Sequence, residues 1–292
     1  MTTQMERYQQ FIEEIAEQLP DLRGGVCVTH VNKGRSTAVN FCISADNTPR
    51  YFVKVYDAGA GGNVIGSLDD DQLAGLEIVA DLSMEKGRRV MVTRWIEGRP
   101  LSGAADELQQ MAALLERLHK TRVRKAGSGI WLELLRYRIY IWRNRVTFPH
   151  KREILAYLKR NRKQARNGKA LTHMDMHRDN FMVDAEGKVH LLDFENLMVT
   201  DPWRDFVYAM TFHDPKENVA WYQVLQNYFR GQVPMEFWPT IRYYCFLQML
   251  RMVICEHQKA NQKQIDMIVD TVWNDYDGLC AVKPLWIKAM ER

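Results

Sequence analysis

The change in hydrophobic period near residue 98 constrains the fold more than any other feature of this sequence. After a helical segment that ends at Pro20, five short runs rich in Val, Phe and Tyr alternate with turn signals: GVCVTHV, TAVNFCIS, RYFVKVYD, LEIVADLSM and RRVMVTRW. Beyond Gly98 the apolar spacing is helical, except in FMVDA and KVHLLDF, which predict one small hairpin. Strands followed by helices predict an α+β chain with two lobes, an antiparallel-sheet lobe over residues 1–94 and a mainly helical lobe over 95–292.

Composition excludes several classes of protein. The chain has 292 residues, of which 46% are hydrophobic and 26% are charged, so it is globular and has no need of a disulfide scaffold. Its five cysteines form no CxxC pair, which argues against a disulfide framework and fits a reducing cytoplasm. The N-terminus has no apolar signal region, and no uncharged apolar run approaches the roughly 18 residues of a membrane span. We therefore expect a cytoplasmic protein without a membrane partner.

Residues 136–169, here called the basic tract, carry twelve lysines and arginines against the single acid Glu153, although the whole chain is only +4. A tract of this kind is typical of a solvated helical surface, and that is the interpretation we favour. The alternative is an anion-binding or nucleic-acid-binding face. Because the tract is the only evidence for such a face, a nucleic-acid partner is not expected.

The densest polar cluster in the sequence is THMDMHRDN at residues 172–180, followed by LLDFEN at 191–196. Phosphoryl transfer needs a carboxylate for the acceptor hydroxyl and oxygen ligands for magnesium, and Asp175, Asn180 and Asp193 supply these groups. Asn180 enters one strand of the predicted hairpin and Asp193 leaves the other, so both lie at the same end. Lys54 lies within an apolar strand, where its ammonium group requires an anionic partner such as a phosphate.

Two metal-centred alternatives are weaker. His173 and His177 are four residues apart and would share one face of a helix, but no Glu lies between them in the HExxH register. Helical periodicity is also absent on both sides of the pair. A histidine–aspartate phosphohydrolase would need further His ligands, and the sequence offers none in a convincing position.

The motifs resemble those of the aminoglycoside phosphotransferase and choline kinase family, which has a protein-kinase-like fold. HMDMHRDN at 173–180 matches the family's H-x-D-x-x-x-x-N motif, and LDFE at 192–195 matches its metal-binding segment. Four more segments are similar, in order along the chain: YFVKVYD, VTRWIEGRPL, MAALLERLH and DPWRDF. The resemblance thus extends over nearly the whole chain, and it is most specific in the C-terminal half.

This resemblance implies a nucleotide-binding N-terminal lobe and a C-terminal lobe with the catalytic loop and acceptor site. Asp175 would accept or orient the acceptor hydroxyl, while Asn180 and Asp193 would hold Mg²⁺. Lys54 would contact the phosphates of ATP, or of GTP. The backbone from Arg94 to Ile96 would bind adenine, and the loop from Lys33 to Thr37, with Gly34 and Ser36, would cover the phosphates. His173 would brace the loop, and His119 would serve in packing.

The catalytic motif contains a second aspartate and one departure from the family pattern. His177-Arg178-Asp179 spells the HRD of protein kinases, but an Asn follows the catalytic Asp by five residues in that motif, which selects Asp175 through Asn180. The family usually has Gly where this chain has Met174. The acidic partner of Lys54 stays open among four carboxylates, which are Asp69, Asp70, Asp71 and Glu77.

The function that we predict is ATP-dependent transfer of the γ-phosphate to a hydroxyl of a small molecule. The alternatives are an antibiotic kinase that confers resistance and a catalytically inactive nucleotide-binding relative. Acids after Leu171 offer sites for a cationic acceptor: Asp201, Asp205, Asp214 and Glu217. The basic tract argues instead for a neutral or anionic acceptor, if it faces the acceptor. Oligomeric state is left open.

Overall fold

The computed structural model describes residues 2–17, 19, 22, 26–31, 38–56, 65–84, 87–121, 123, 130–166, 168–212 and 214–291. The chain divides into two compact units, Met1–Glu97 and Gly98–Arg292. The division thus falls after Glu97, whereas the sequence prediction placed it after Arg94. The predicted α+β class with two lobes is confirmed, with an antiparallel sheet in the first unit and mainly helices in the second.

The first unit contains the five predicted strands in one antiparallel sheet of order β1-β2-β3-β5-β4. Its elements are α1 (Thr2–Ala16), β1 (Val26–His30), β2 (Val39–Ala45), β3 (Thr48–Tyr56), α2 (Asp70–Gly75), β4 (Ile78–Met84) and β5 (Arg88–Arg94). Asp46 and Asn47 connect β2 to β3 with φ of 50° and 62°, the left-handed conformation that a two-residue hairpin turn requires.

The core of the first unit lies between α1 and the sheet. Tyr8, Ile12 and Ile15 recur at helical spacing and are buried against the sheet residues Ile43 and Val53. Because β3 is the central strand of the sheet, it is buried along most of its length from Tyr51 to Tyr56. This burial places Lys54 in an apolar environment.

The second unit is mainly helical. Its helices are α3 (Ala105–Lys120), α4 (Ile130–Arg143), α5 (Lys151–Arg160), α6 (Val207–Thr211), α7 (Asn218–Tyr228), α8 (Phe237–Gln258), α9 (Gln262–Asp275) and α10 (Leu285–Met290). Its strands are β6 (Arg99–Pro100), β7 (Ala170–Thr172), β8 (Phe181–Val183), β9 (Val189–Leu191) and β10 (Met198–Thr200). Most of α8 is buried, because its own apolar residues lie on every side of the helix and not along one stripe. None of the described helices combines the length and apolarity that crossing a membrane would require.

The prediction that only one hairpin in this unit is extended was wrong. β8 and β9 form that hairpin, but β6 adds a third strand to it, and β7 pairs with β10 in a separate sheet. The strands that the sequence analysis missed are two or three residues long. Such segments are too short to display a period of two, and their partners lie far away along the chain.

Candidate active site

A buried carboxylate holds the loop that follows β7. Asp205 accepts hydrogen bonds from the backbone N–H groups of His173 and Met174, at 2.9 and 2.7 Å. Its Oδ2 also lies 2.9 Å from Nε2 of His119, whose Nδ1 is 2.7 Å from the hydroxyl of Tyr228. His119 therefore does more than the packing that we expected, because it joins α3 and α7 to the carboxylate that supports the loop.

Two further features fix the course of this loop. Met174 has a φ of 65°, in the left-handed region that favours glycine. His173 is fully buried, and its Nε2–H donates to the carbonyl of Leu192 at 2.8 Å. The contact ties the loop to the residue just before Asp193, in agreement with the bracing role that the family resemblance implied for His173.

The hairpin register brings the three polar candidates to one end. Phe181 pairs with Leu191, and the N–H of Leu192 donates to the carbonyl of Asn180 at 2.8 Å. The side-chain amide of Asn180 donates to the carbonyl of Asp175 at 2.7 Å. Asp193 follows with a φ of 61°, a conformation that costs free energy and is frequent in functional sites.

The donor set at this end of the hairpin fits magnesium. The amide nitrogen of Asn180 is engaged by Asp175, so its oxygen is the atom that remains for a cation. One carboxylate, from Asp193, and one amide oxygen are sufficient when phosphates and water complete the coordination of Mg²⁺. The zinc alternative loses its premise, because residues 173–177 form a loop and not a helix, and Nε2 of His173 is used by the carbonyl of Leu192.

The two aspartates of the motif lie in different environments. The side chain of Asp175 is 20% exposed and that of Asp179 is 84% exposed, with His177 between them at 3.7 and 3.9 Å. Asp175 lines a pocket of the second unit, whereas Asp179 projects into solvent. The structure thus supports the assignment of Asp175, which remains a proposal.

The pocket beside Asp175 has a volume of about 240 Å³. Its lining residues come from the loop, the segment after Asp193, α6, α8 and α9, and they include Met174, Asn196, Tyr208, Gln248, Arg251, Met252, Cys255, Glu256, Gln264 and Ile268. Gln248 is 8% exposed, and among the described residues its side-chain oxygen has no hydrogen-bond partner. A buried acceptor of this kind favours a ligand that donates a hydrogen bond. The sequence did not indicate these lining residues of α8 and α9 as part of a site, because only the helix packing brings them to the loop.

The four acids expected to bind a cationic acceptor all have structural contacts. Asp201 is fully buried and accepts from Tyr244 at 2.7 Å, and Asp205 supports the loop. Asp214 caps a short helical turn through the N–H of Lys216 at 2.9 Å. Glu217 accepts from Trp221 at 3.2 Å and lies 3.5 Å from Arg178. Asp201 and Asp205 are thus buried among protein partners and not open to an acceptor, whereas acceptor binding by Asp214 and Glu217 stays a prediction. Local sequence does not distinguish a capping acid from a binding one.

The first unit holds the residues proposed for the nucleotide. Lys54 is 4% exposed, in β3, where it pairs with Asn40 of β2 and Met91 of β5. The N–H of Arg94 donates to the carbonyl of Glu77 at 3.0 Å and is thus already used, while Ile96 follows β5 in an irregular segment. The loop with Gly34 and Ser36 lies outside the described residues.

The structure describes the side chains of three of the four acids considered for Lys54. Glu77 lies within the predicted strand LEIVADLSM, but in the structure it precedes β4, occupies a turn with a φ of 56° and lies 4.0 Å from Arg94. Asp69 accepts from the N–H of Gln72 at 2.9 Å and caps α2, while Asp71 is exposed. The side chain of Asp70 lies outside the described part of the chain.

Comparison with known proteins identifies the relatives of this chain. The model of the APH family, described as the phosphotransferase enzyme family, matches residues 28–238. No curated relative matches the sequence. The choline kinase LicA from Streptococcus pneumoniae superimposes with a TM-score of 0.57 at 17% identity, over 90% of this chain and 99% of that one.

Two antibiotic kinases share the same fold. The spectinomycin phosphotransferase, solved with ADP and spectinomycin, gives a TM-score of 0.58 at 14% identity, over 89% of this chain and 92% of its own. A variant of the aminoglycoside 2′-phosphotransferase IIIa, solved with GDP, gives 0.66 at 14% identity, over 94% and 99%. At these identities the likeness establishes the fold alone.

Proposed function

Because the chain belongs to the APH family of phosphotransferase enzymes, we propose that it transfers the γ-phosphate of ATP, or of GTP, to a hydroxyl of a small molecule. The observation that carries the proposal is the position of Asp175. Its backbone carbonyl is bonded to Asn180, its loop is supported by Asp205, and its side chain lines a pocket. A carboxylate at the mouth of a pocket is suited to orient an acceptor hydroxyl.

The proposed roles divide between the two units. Asp175 binds the acceptor hydroxyl and takes its proton as the oxygen bonds to the γ-phosphorus, while the bond from that phosphorus to the leaving nucleoside diphosphate breaks. Asn180 and Asp193 hold Mg²⁺, which supplies positive charge against the phosphate oxygens when it is bound. Lys54 contacts the nucleotide phosphates, with Gly34 and Ser36 in the covering loop. The segment from Arg94 to Ile96 binds the base.

The pocket supports an acceptor that is small and polar. A volume of about 240 Å³ lies below the range of roughly 300–1,000 Å³ that is common for drug-sized ligands. Its charged lining residues are Asp175, Arg251 and Glu256, and Glu256 is already paired with Lys259 at 2.7 Å. With Glu256 paired in this way, Asp175 and Arg251 balance each other and the lining keeps little negative charge for a polycation. We therefore favour a monosaccharide or an amino alcohol over a polyamine antibiotic.

Two measurements test the proposed function. Calorimetry with ATP and GTP, with and without Mg²⁺, is expected to show binding that requires or is strengthened by the metal. A screen of sugars, amino alcohols and aminoglycosides that measures nucleoside diphosphate release is expected to find turnover with a compound of the first two classes. Absence of nucleotide binding at millimolar concentration would refute the function, and efficient turnover of an aminoglycoside would refute our choice of acceptor.

A further inference from the structure

Helix α4 leaves a row of large apolar side chains in solvent. Their relative exposures run from 36% to 79%, and the set, here called the α4 stripe, consists of Trp131, Leu132, Leu135, Ile139 and Trp142. Five of the twelve exposed large hydrophobic residues of the described chain thus fall within one helix. At 3.6 residues per turn they occupy about 100° of its circumference. A contiguous exposed row of this kind marks an interaction surface more often than scattered apolar residues do.

The stripe is separate from the face by which α4 packs into the second unit. That face contains the buried residues Ile130, Leu134 and Ile141. It also carries Glu133, which forms two hydrogen bonds with the guanidinium of Arg204, at 2.9 and 3.0 Å. The helix is therefore anchored on one side, and its apolar surface continues onto a side that the described fold leaves uncovered.

Positive charge surrounds the stripe. Arg136, Arg138, Arg143 and Arg145 are all exposed on or next to α4, and eleven of the twelve cations of the basic tract are exposed. Glu133 is paired with Arg204, which leaves Glu153 as the one other acid in α4 and the basic tract. An apolar row with tryptophan near both ends and cations along its sides is the composition of a helix that lies in the interface of an anionic bilayer.

We propose that the α4 stripe and the basic tract form a peripheral binding surface for anionic membranes, a partner that the lack of an apolar span had led us not to expect. The indole rings of Trp131 and Trp142 suit the headgroup region because they are amphipathic. The arginines are attracted by the negative surface potential of acidic lipids. A second copy of the chain is the weaker occupant, because a two-fold pair through the stripe would bring two strongly basic tracts together.

Sedimentation with vesicles tests this proposal and needs neither nucleotide nor acceptor, so its result is independent of the proposed function. Vesicles of phosphatidylcholine alone are compared with vesicles that contain about one third phosphatidylserine, over a series of NaCl concentrations. We expect binding to the anionic vesicles that decreases as salt rises, and at least about tenfold weaker binding to neutral ones.

Matched variants assign the binding to the surface. Trp131→Ser/Trp142→Ser and Arg138→Glu/Arg143→Glu are each expected to weaken it about tenfold or more. Two control variants make the same kinds of change at exposed positions elsewhere and should leave vesicle binding within about twofold of the wild type. They are Val219→Ser/Met235→Ser and Lys216→Glu/Lys263→Glu. Thermal melts verify that each variant is folded. Failure to bind anionic vesicles, equal effects of test and control variants, or a dimer in solution that the tryptophan variant abolishes would each overturn the proposal.

Discussion

The carboxylate of Asp205 accepts a 2.7 Å hydrogen bond from the backbone N–H of Met174, the residue at which the loop adopts a φ of 65°. A non-glycine residue in this conformation costs about 1–3 kcal/mol and persists only where its surroundings determine it. The buried carboxylate of Asp205 fixes the conformation of Met174 through charge-assisted hydrogen bonds. The position of Asp175, the next residue, therefore depends on Asp205.

Replacing Asp205 with Asn should lower stability and turnover together. The substitution removes the charge that strengthens the bonds to His173, Met174 and His119, each worth about 1.5–3 kcal/mol when charged. We expect a loss of roughly 2–4 kcal/mol in the free energy of unfolding, measured with urea, and a lower kcat. Asp214→Asn alters only an exposed cap and serves as the control. A variant with unchanged stability and kcat would show that the loop does not depend on this carboxylate.

Asp175→Ala and Asp179→Ala should have unequal effects. Because Asp175 lines the pocket and Asp179 is 84% exposed, the first variant should reduce turnover by about 10²-fold or more and leave nucleotide affinity nearly intact. The second should retain most of its turnover. Steady-state kinetics and calorimetry on both variants measure this division, and the reverse ranking would show that the motif register is wrong.

Asp193→Ala should remove the dependence of nucleotide binding on metal. Its carboxylate is one of the two protein oxygen donors proposed for Mg²⁺, so the variant should bind ATP equally with and without the ion. Calorimetry at matched ionic strength makes the comparison. Glu195→Ala, two residues further on, is the control and should retain the effect of magnesium. If Asp193→Ala still bound ATP more tightly with Mg²⁺, the metal assignment would be wrong.

Gln248→Leu should separate acceptor binding from stability. The side-chain oxygen of Gln248 is buried beside Asp175 and has no partner among the described residues, so replacing the amide with a similar apolar group should leave the free energy of unfolding equal or higher. The KM for the acceptor should rise by about tenfold or more, because a hydrogen-bond acceptor is lost. A variant with unchanged KM would exclude Gln248 from acceptor recognition.

The Glu133–Arg204 pair should make stability sensitive to acid. Burial by itself would raise the pKa of Glu133, but the guanidinium of Arg204 and the hydroxyl of Tyr137 outweigh it and hold the pKa below its usual 4.5. As the pH falls, Glu133 is therefore protonated at a higher pH in the unfolded chain than in the folded protein. The contribution of Glu133 to the free energy of unfolding is fully present above its pKa in the unfolded chain. It is lost as the pH falls through its lower pKa in the folded protein.

Urea titrations between about pH 7 and pH 3 measure this effect. Glu133→Gln should be less stable than the wild type near neutral pH by about 3–5 kcal/mol, because it leaves Arg204 buried without a counter-charge. The difference in the free energy of unfolding between wild type and variant should become smaller as the pH falls through the pKa of Glu133 in the folded protein. Glu153→Gln, at an exposed position, provides the control. A difference that stayed constant with pH would show that the pKa of Glu133 is not lowered by folding.

The sequence by itself determined the features that neighbouring residues encode. Alternating apolar residues specify the five strands of the first unit, because side chains of a strand point to opposite faces in turn. Likewise, a hairpin with a short turn fixes its own register, so the positions of Asn180 and Asp193 at one end follow from local spacing alone.

Only the tertiary structure decided which polar and apolar groups are left for function. Asp201 and Asp205 resemble binding acids in the sequence, yet folding buries them among partners far away along the chain. Tertiary packing also decided the positions of two residues that the sequence did not single out. Helix α8 brings Gln248 to the pocket of Asp175, and Trp142 stays in solvent because α4 packs by a different face. The physical reason is that burial and hydrogen bonding depend on which elements meet in space, and the local period of a sequence does not contain that information.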